Sequence, residues 1–146
     1  MLTLLYQQHN LDIFWDTADK WLNASWTGRL SEEDVKRGCD QLLRLMVARN
    51  TDSLLDDLGK VESTWHGAVE WRAKDWLPRM RAAGLRNCAC VQTPGETVVP
   101  AAGGTATGTG ATMFVKIEDA VHWLRAQRRR NNITQRIVLP PELRGR

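Results

Sequence analysis

Thr51-Asp52-Ser53-Leu54-Leu55-Asp56-Asp57-Leu58 opens a stretch that continues through Trp65, Trp71, Trp76 and Pro78 to Ala82-Ala83-Gly84, and closes on Asn87-Cys88-Ala89-Cys90-Val91. A short apolar strand ends in two aspartates, a tryptophan-rich helix follows, and a glycine feeds a second apolar strand. Strand, crossover helix and strand within about forty residues read as a right-handed parallel unit, which places the chain in the α/β class. Ser63 or Thr64 caps the helix in this reading, and its apolar positions are Trp65, Ala68, Val69, Ala73, Trp76, Leu77 and Met80. Pro78 lacks an amide hydrogen and clashes with the carbonyl four residues back, so a kink is expected, or a restart with Asp75 as a new cap. Gly84 suits the left-handed residue that closes a helix.

Upstream, Leu11, Ile13 and Trp15 alternate with Asp12, Phe14 and Asp16, while Leu22, Ala24 and Trp26 alternate with Trp21, Asn23 and Ser25. Asp16-Thr17-Ala18-Asp19 supplies turn chemistry between them, so the two runs form a hairpin with one face inward. Thr27-Gly28 ends the second strand. Ser31, followed by Glu32, Glu33 and Asp34, is an N-cap with acids matched to the positive end of a helix. Val35, Cys39, Leu42, Leu43, Met46 and Val47 fall at three- and four-residue spacing on that helix, and Asn50 closes it.

Downstream, residues 93–112 are almost entirely Gly, Ala, Thr, Pro and Val, a composition that reads as a flexible loop. Met113 to Ile117 reads as a last strand, and Glu118 opens a helix with Ala120, Val121 and Leu124 inward. A final apolar patch, Ile137-Val138-Leu139, stops at Pro140-Pro141. The order is β-β-α-β-α-β-loop-β-α, a mixed sheet of about five strands in one domain over residues 1–127, followed by a basic tail at 128–146.

That tail holds most of the charge asymmetry in a chain of 146 residues and formal net charge +3. From Arg125 onward seven arginines face one acid, Glu142, so residues 125–146 carry +6 and the rest −3. Arg128, Arg129 and Arg130 are candidate anion contacts, although arginines at a helix end also suit its negative dipole. Contact with nucleic acid is the weaker reading. The first residues lack a basic leader and a long apolar core, and nowhere do eighteen apolar residues run together, so a cytoplasmic protein without a membrane span is expected. Cys39, Cys88 and Cys90 are an odd set inside apolar patterns, which reads as reduced core thiols.

Trp76-Leu77-Pro78-Arg79-Met80 with Ala82-Ala83-Gly84-Leu85, a following short apolar strand, and Ile117-Glu118-Asp119-Ala120-Val121-His122-Trp123-Leu124 resemble the small bacterial STAS-like (SpoIIAA-like) domains. These are stand-alone domains with the fold of the sporulation anti-sigma-factor antagonist, related to the CRAL-TRIO lipid-binding domain. The resemblance covers roughly residues 11–127 by order of elements and implies the STAS-like α/β fold. It also implies a regulatory or binding role without catalysis. In the antagonists a phosphorylatable serine follows an aspartate at the strand-to-helix junction. This chain has Asp56-Asp57-Leu58-Gly59-Lys60-Val61-Glu62-Ser63-Thr64 there, so a phosphoswitch would fall to Ser63 or Thr64.

Chemistry-bearing constellations are few. Asp56 and Asp57 sit at the carboxyl end of a parallel strand, where α/β sheets place their ligand crevices, with Glu62 near in sequence. Adjacent strand residues point to opposite faces, which argues against one shared acid/base task, yet a small enzyme at this point is the alternative to a binding module. Cys88 and Cys90 share a face but offer only two of the four ligands that zinc requires. The run Gly103 to Gly110 lacks the Lys-Ser or Lys-Thr and the helix that a phosphate cradle needs. His9, His66 and His122 are scattered, so no nucleophile has a base and no cofactor or metal is expected. Seven tryptophans remain, three of them close together. At about 100° per residue Trp65 and Trp76 share a helix face with Val69, and Trp71 lies away from it. This aromatic helix is the candidate binding surface for a protein partner, a small apolar ligand or a second copy in a homodimer, with Asp57, Trp65, Trp71 and Trp76 as the contact residues.

Overall fold

Leu54, Asp56 and Leu58 face one side of the central strand while Leu55 and Asp57 face the other, and this alternation divides the interior into two layers. The computed structural model describes residues 1–92 and 111–137, with side chains as far as residue 130. The expected loop at 93–112, except for its last two residues, and the Val138 to Pro141 patch lie outside that span.

The described chain forms β1 (Leu2–Gln8), β2 (Leu11–Asp16), β3 (Trp21–Leu30), α1 (Glu32–Arg49), β4 (Ser53–Thr64) and α2 (Ala68–Trp71). A π-helical segment (Arg72–Trp76), α3 (Leu77–Ala82), β5 (Asn87–Val91), β6 (Thr112–Phe114) and α4 (Ile117–Ile137) complete it. The strands lie side by side in chain order in one six-stranded sheet. β1, β2 and β3 are antiparallel to one another in turn, and β3 to β6 run parallel. The expected mixed α/β class is therefore present, with six strands in place of about five. The added strand is β1, which carries no alternating pattern because it is an edge strand with Leu2 and Leu4 in solvent.

The hairpin forms with Leu11 opposite Trp26 and Asp16 opposite Trp21, and the Asp16 carboxylate accepts the amides of Ala18 and Asp19 in the turn. Gly28 does not end β3. At φ 76° it sits where the pairing with β4 slips, a bulge that lets the strand continue to Leu30. α1 begins as its sequence dictates: the Ser31 hydroxyl accepts from the Asp34 amide, and the Asp34 carboxylate accepts from the Ser31 amide. Asn50 closes it at φ 51°.

One layer joins Val35, Cys39, Leu42 and Met46 of α1 with Ala68, Trp76, Leu77 and Met80 of the second helical stretch, over Leu22, Ala24, Trp26, Leu54, Cys88 and Cys90 of the sheet. The opposite layer packs Ala120 and Leu124 of α4 on Trp21, Leu55, Ala89, Val91 and Phe114. α1 and the second helical stretch share a face because both connect neighbouring parallel strands in the same direction across the sheet.

The largest departure from expectation lies after Leu58. β4 runs on to Thr64, so Ser63 and Thr64 close a strand and do not cap a helix. The helix starts three or four residues later than read, because Lys60, Val61, Ser63 and Thr64 pair with β3 through their backbones, with Lys60 and Ser63 exposed. Pro78 neither breaks the helix nor gives Asp75 a capping role. The Leu77 amide donates to the Arg72 carbonyl, an i to i+5 bond, and the widened turn brings Pro78 into the first turn of α3.

Candidate functional site

A carboxylate inside a strand of apolar neighbours must find a cation or several donors, since an unpaired buried charge is costly. Asp56 is fully buried and finds both. The Trp26 indole Nε1 donates to its Oδ1 at 2.8 Å, and the Arg72 guanidinium forms a close ion pair with its Oδ2. The Cys90 sulfur lies 3.9 Å from the same oxygen. The Arg72 guanidinium also stacks on Trp76, 4.5 Å from the ring centre, and the Trp76 Nε1 donates to the Cys39 carbonyl at 2.9 Å. This network ties the π-helical segment to β4, β3 and α1 at once. The π turn places Arg72 over the carboxylate and Trp76 in the core.

Arg72 is held firmly protonated. Burial works against its charge, but the Asp56 carboxylate outweighs that penalty and raises its pKa. The thiols go the other way from reactive cysteines. Burial pushes Cys39 and Cys88 up to about 12 and Cys90 well above its ordinary value, with the Asp56 charge adding to the effect. Thiols protonated at neutral pH are neither nucleophiles nor ready metal ligands. Among the described residues no three His, Cys, Asp or Glu side chains converge as a metal site would need.

Beside this network, at the carboxyl ends of β3, β4 and β5, an apolar crevice is enclosed by Trp26, Leu58, Ala68, Arg72, Leu77 and Cys90. Its enclosed volume is about 50 Å³, space for a few water molecules or a short apolar segment. Arg72 lines it, and among the described residues the buried Arg72 Nε has no hydrogen-bond acceptor. The crevice thus combines apolar walls with the side chain of an arginine whose charge is already matched by Asp56.

The tryptophans distribute differently from the helical-wheel expectation. Trp76 is fully buried. Trp65 precedes the helix and pairs with Trp71: Lys36 of α1 lies 5.3 Å from one ring centre and 5.6 Å from the other, a shared cation–π contact across the layer. Arg79 covers Trp71 from another side at 5.9 Å and forms ion pairs with Asp40 at 3.5 Å and Asp75 at 3.1 Å. Trp65 and Trp71 are half-buried and rest against the chain's own cations.

The expected acidic constellation is not assembled. Asp57 points to the face opposite Asp56, and its Oδ1 accepts the Gly59 amide at 2.9 Å. Glu62 is exposed and meets Arg29 at 3.8 Å. Ser63 is exposed and Thr64 half-buried, both on β4. Arg128, Arg129 and Arg130 lie within α4, which continues past residue 127. Arg72, the residue that organises the crevice, was not singled out from sequence. The signal for it was Asp56 itself, a charge inside an apolar strand that required a partner.

Among the described residues no helix is long and apolar enough to cross a membrane. No protein-family model matches this chain, and no curated protein matches it in sequence. Among solved structures, the chain is similar to an uncharacterised protein of the DUF3478 family with a SpoIIAA-like fold from Shewanella loihica PV-4. That likeness has a TM-score of 0.49 at 18% identity and covers 84% of this chain and 99% of the other.

Proposed function

We propose that this chain is a non-enzymatic binding module that takes a small apolar ligand bearing a hydrogen-bond acceptor into the crevice beneath its aromatic helix. The observation that carries the reading is the Arg72 side chain: it lines an apolar recess with its charge matched by Asp56, while its Nε has no acceptor among the described residues. Apolar walls with a few well-placed polar groups are the common composition of small-molecule sites, and the carboxyl edge of a parallel sheet is where such sites form. Catalysis has little to draw on, because the nearby thiols are held protonated and the buried Asp56 carboxylate beside them is already ion-paired.

The recess admits only a slender group, so a methyl ketone or short ester suits it better than a ring system. The test titrates 2-octanone into the ¹⁵N-labelled protein and follows amide shifts. Saturable shifts confined to residues such as Val69, Ala73 and Leu77 are expected. Ala73→Leu fills the same space and abolishes them while the fold is kept. Binding unchanged in Ala73→Leu, or no saturable shift at all, overturns the reading. If mass spectrometry found the probe chemically converted, the enzymatic alternative would replace it.

A further inference from the structure

At the amino ends of the parallel strands, on the opposite edge from the crevice, four cations from four separate segments line one groove of about 550 Å³: Lys20, Arg49, Arg86 and Arg128. We propose that this groove is a second ligand site, and that it takes a compact oligophosphate group. The site is independent of the function proposed above.

Several surface cations of this protein have an acid beside them, as Lys36, Arg37, Lys74 and Arg79 do within their own helices. Among the described residues none of the four groove cations pairs with a carboxylate, although Asp52 also lines the groove. The Asp52 carboxylate accepts instead from the Ser53 hydroxyl at 2.8 Å. Like charges brought together without counter-charges repel, so their convergence needs an account.

Helix dipoles are the first account to weigh, because α1 and α3 both end at this groove. Their closing carbonyls are already met by backbone amides. Asn50 donates to Met46 and Val47, Thr51 to Met46 at 3.3 Å, Gly84 to Arg81 at 3.0 Å, and Leu85 to Met80 at 3.0 Å. Two helix ends contribute about −1 in total, and Asp52 another unit, against four cations. About two positive charges are left over. A ligand that neutralises them carries at least two negative charges in a small volume. Each phosphate group brings close to two charges and several oxygens that match guanidinium forks.

Trp15 also lines the groove, and its state discriminates among phosphate-bearing ligands. The Arg49 guanidinium lies 5.4 Å from its ring centre. With that face covered, the groove offers phosphate recognition but no bare aromatic platform for a base, which single-stranded nucleic acids require. A concave groove of this size likewise fits a compact group better than a bilayer.

Lys20 supplies the most pointed observation. It holds φ 60°, a conformation that L side chains adopt at a cost and that glycine or asparagine usually fills in such turns. Its backbone is fixed there by its amide donating to the Asp16 carbonyl at 2.8 Å and its own carbonyl accepting from the Thr51 hydroxyl at 2.8 Å. Arg128 is anchored in parallel, its guanidinium donating to the Asp19 carbonyl. A lysine at a position made for glycine is better explained by its ammonium than by the turn.

The experiment titrates sodium tripolyphosphate into the full chain by calorimetry at low ionic strength. Saturable one-to-one binding that weakens as salt rises is expected. Arg86→Gln and Arg128→Gln each weaken it about tenfold, the loss of one charge-assisted contact. Lys60→Gln, on an exposed cation outside the groove, leaves it unchanged. Lys20→Gly separates binding from folding: affinity falls about tenfold while the melting temperature holds or rises. A nucleoside triphosphate binds as tightly as tripolyphosphate if the phosphates alone are read. Absence of binding, equal loss in Lys60→Gln, a hundredfold preference for the nucleotide, or tighter binding of a single-stranded oligonucleotide or of anionic vesicles overturns the proposal.

Discussion

The two edges of the parallel sheet use arginine in opposite ways. At the carboxyl edge one arginine is enclosed with only 15% of its side chain exposed, neutralised by Asp56 and stacked on Trp76. At the amino edge three arginines and a lysine line one groove, and none of them forms an ion pair among the described residues. Removing a charge from water is expensive, and attraction to a partner offsets the cost only when geometry and additional hydrogen bonds are good. The Asp56–Arg72 pair therefore belongs to the architecture of the fold: it fixes where the π-helical segment sits. The exposed groove cations Lys20, Arg49 and Arg86 contribute little to folding, since exposed charges are screened by water and salt. Buried charge here organises the protein, and exposed convergent charge is available for a ligand.

The sharpest way to break this contrast is to remove Asp56. Asp56→Ala leaves the Arg72 guanidinium buried without its partner, and a loss of about 3–5 kcal/mol is expected in urea denaturation. Asp56→Leu combined with Arg72→Met removes both charges and recovers most of that stability, because a matched apolar pair avoids the desolvation penalty. A loss below about 1 kcal/mol for the single variant would mean that the carboxylate is not held as described.

Gly38→Ala probes the same network from α1. A Cβ there would lie 2.4 Å from Trp26 Cη2 and 2.7 Å from Leu11 Cδ2, so the indole that donates to Asp56 must move. Overpacking of this kind costs about 1–3 kcal/mol, while replacing a helical glycine returns at most about 1 kcal/mol. A net loss in thermal stability and altered amide shifts around Asp56 and Arg72 are expected. A more stable variant would show that Trp26 has room to yield.

Much of this fold was legible because local rules and packing agree in it. The hairpin alternation, the Ser31 capping box and the apolar runs at Leu54-Leu55 and Cys88 to Val91 each have one sensible reading. What escaped was set by distant partners. The second half of β4 is polar and becomes strand only because β3 offers it backbone bonds. The π turn depends on how Trp76 settles against α1. Neither candidate site has a spacing rule: Arg72 meets Asp56 across a strand and a helix, and the groove draws cations from residues 20 to 128. A helix that began at Trp65 would place Trp65 and Trp71 on separate faces; because it begins at Ala68, the two are neighbours around Lys36.

The carboxyl edge also predicts an alkaline limb. Cys39 and Cys88 have thiol pKa values near 12 in the folded protein against about 9 when exposed, and Cys90 is raised as well. Above pH 9 the unfolded chain releases these protons and the folded chain keeps them, so stability falls as pH rises from about 9 to 12. Each thiol contributes about 1.4 kcal/mol per pH unit. Chemical denaturation at pH 8, 9.5 and 10.5 should show the decline, and Cys88→Ala should shallow it. The same thiols should react with Ellman's reagent only as fast as the protein opens; rapid labelling at pH 8 would contradict their enclosure.

At the amino edge the expected effect on folding is nearly nothing, and that is what makes it informative. Arg86→Gln removes an exposed charge that has no acid to release, so unfolding free energy should shift by less than about 0.5 kcal/mol. Relief of repulsion from Lys20, Arg49 and Arg128 should make the shift stabilising at low salt, with the gain fading as salt is added. A loss of more than about 1 kcal/mol would make Arg86 part of the fold's own bracing, as Arg72 is. It would also erase the distinction between the two edges, because a cation that folding requires is no longer one held in reserve for a ligand.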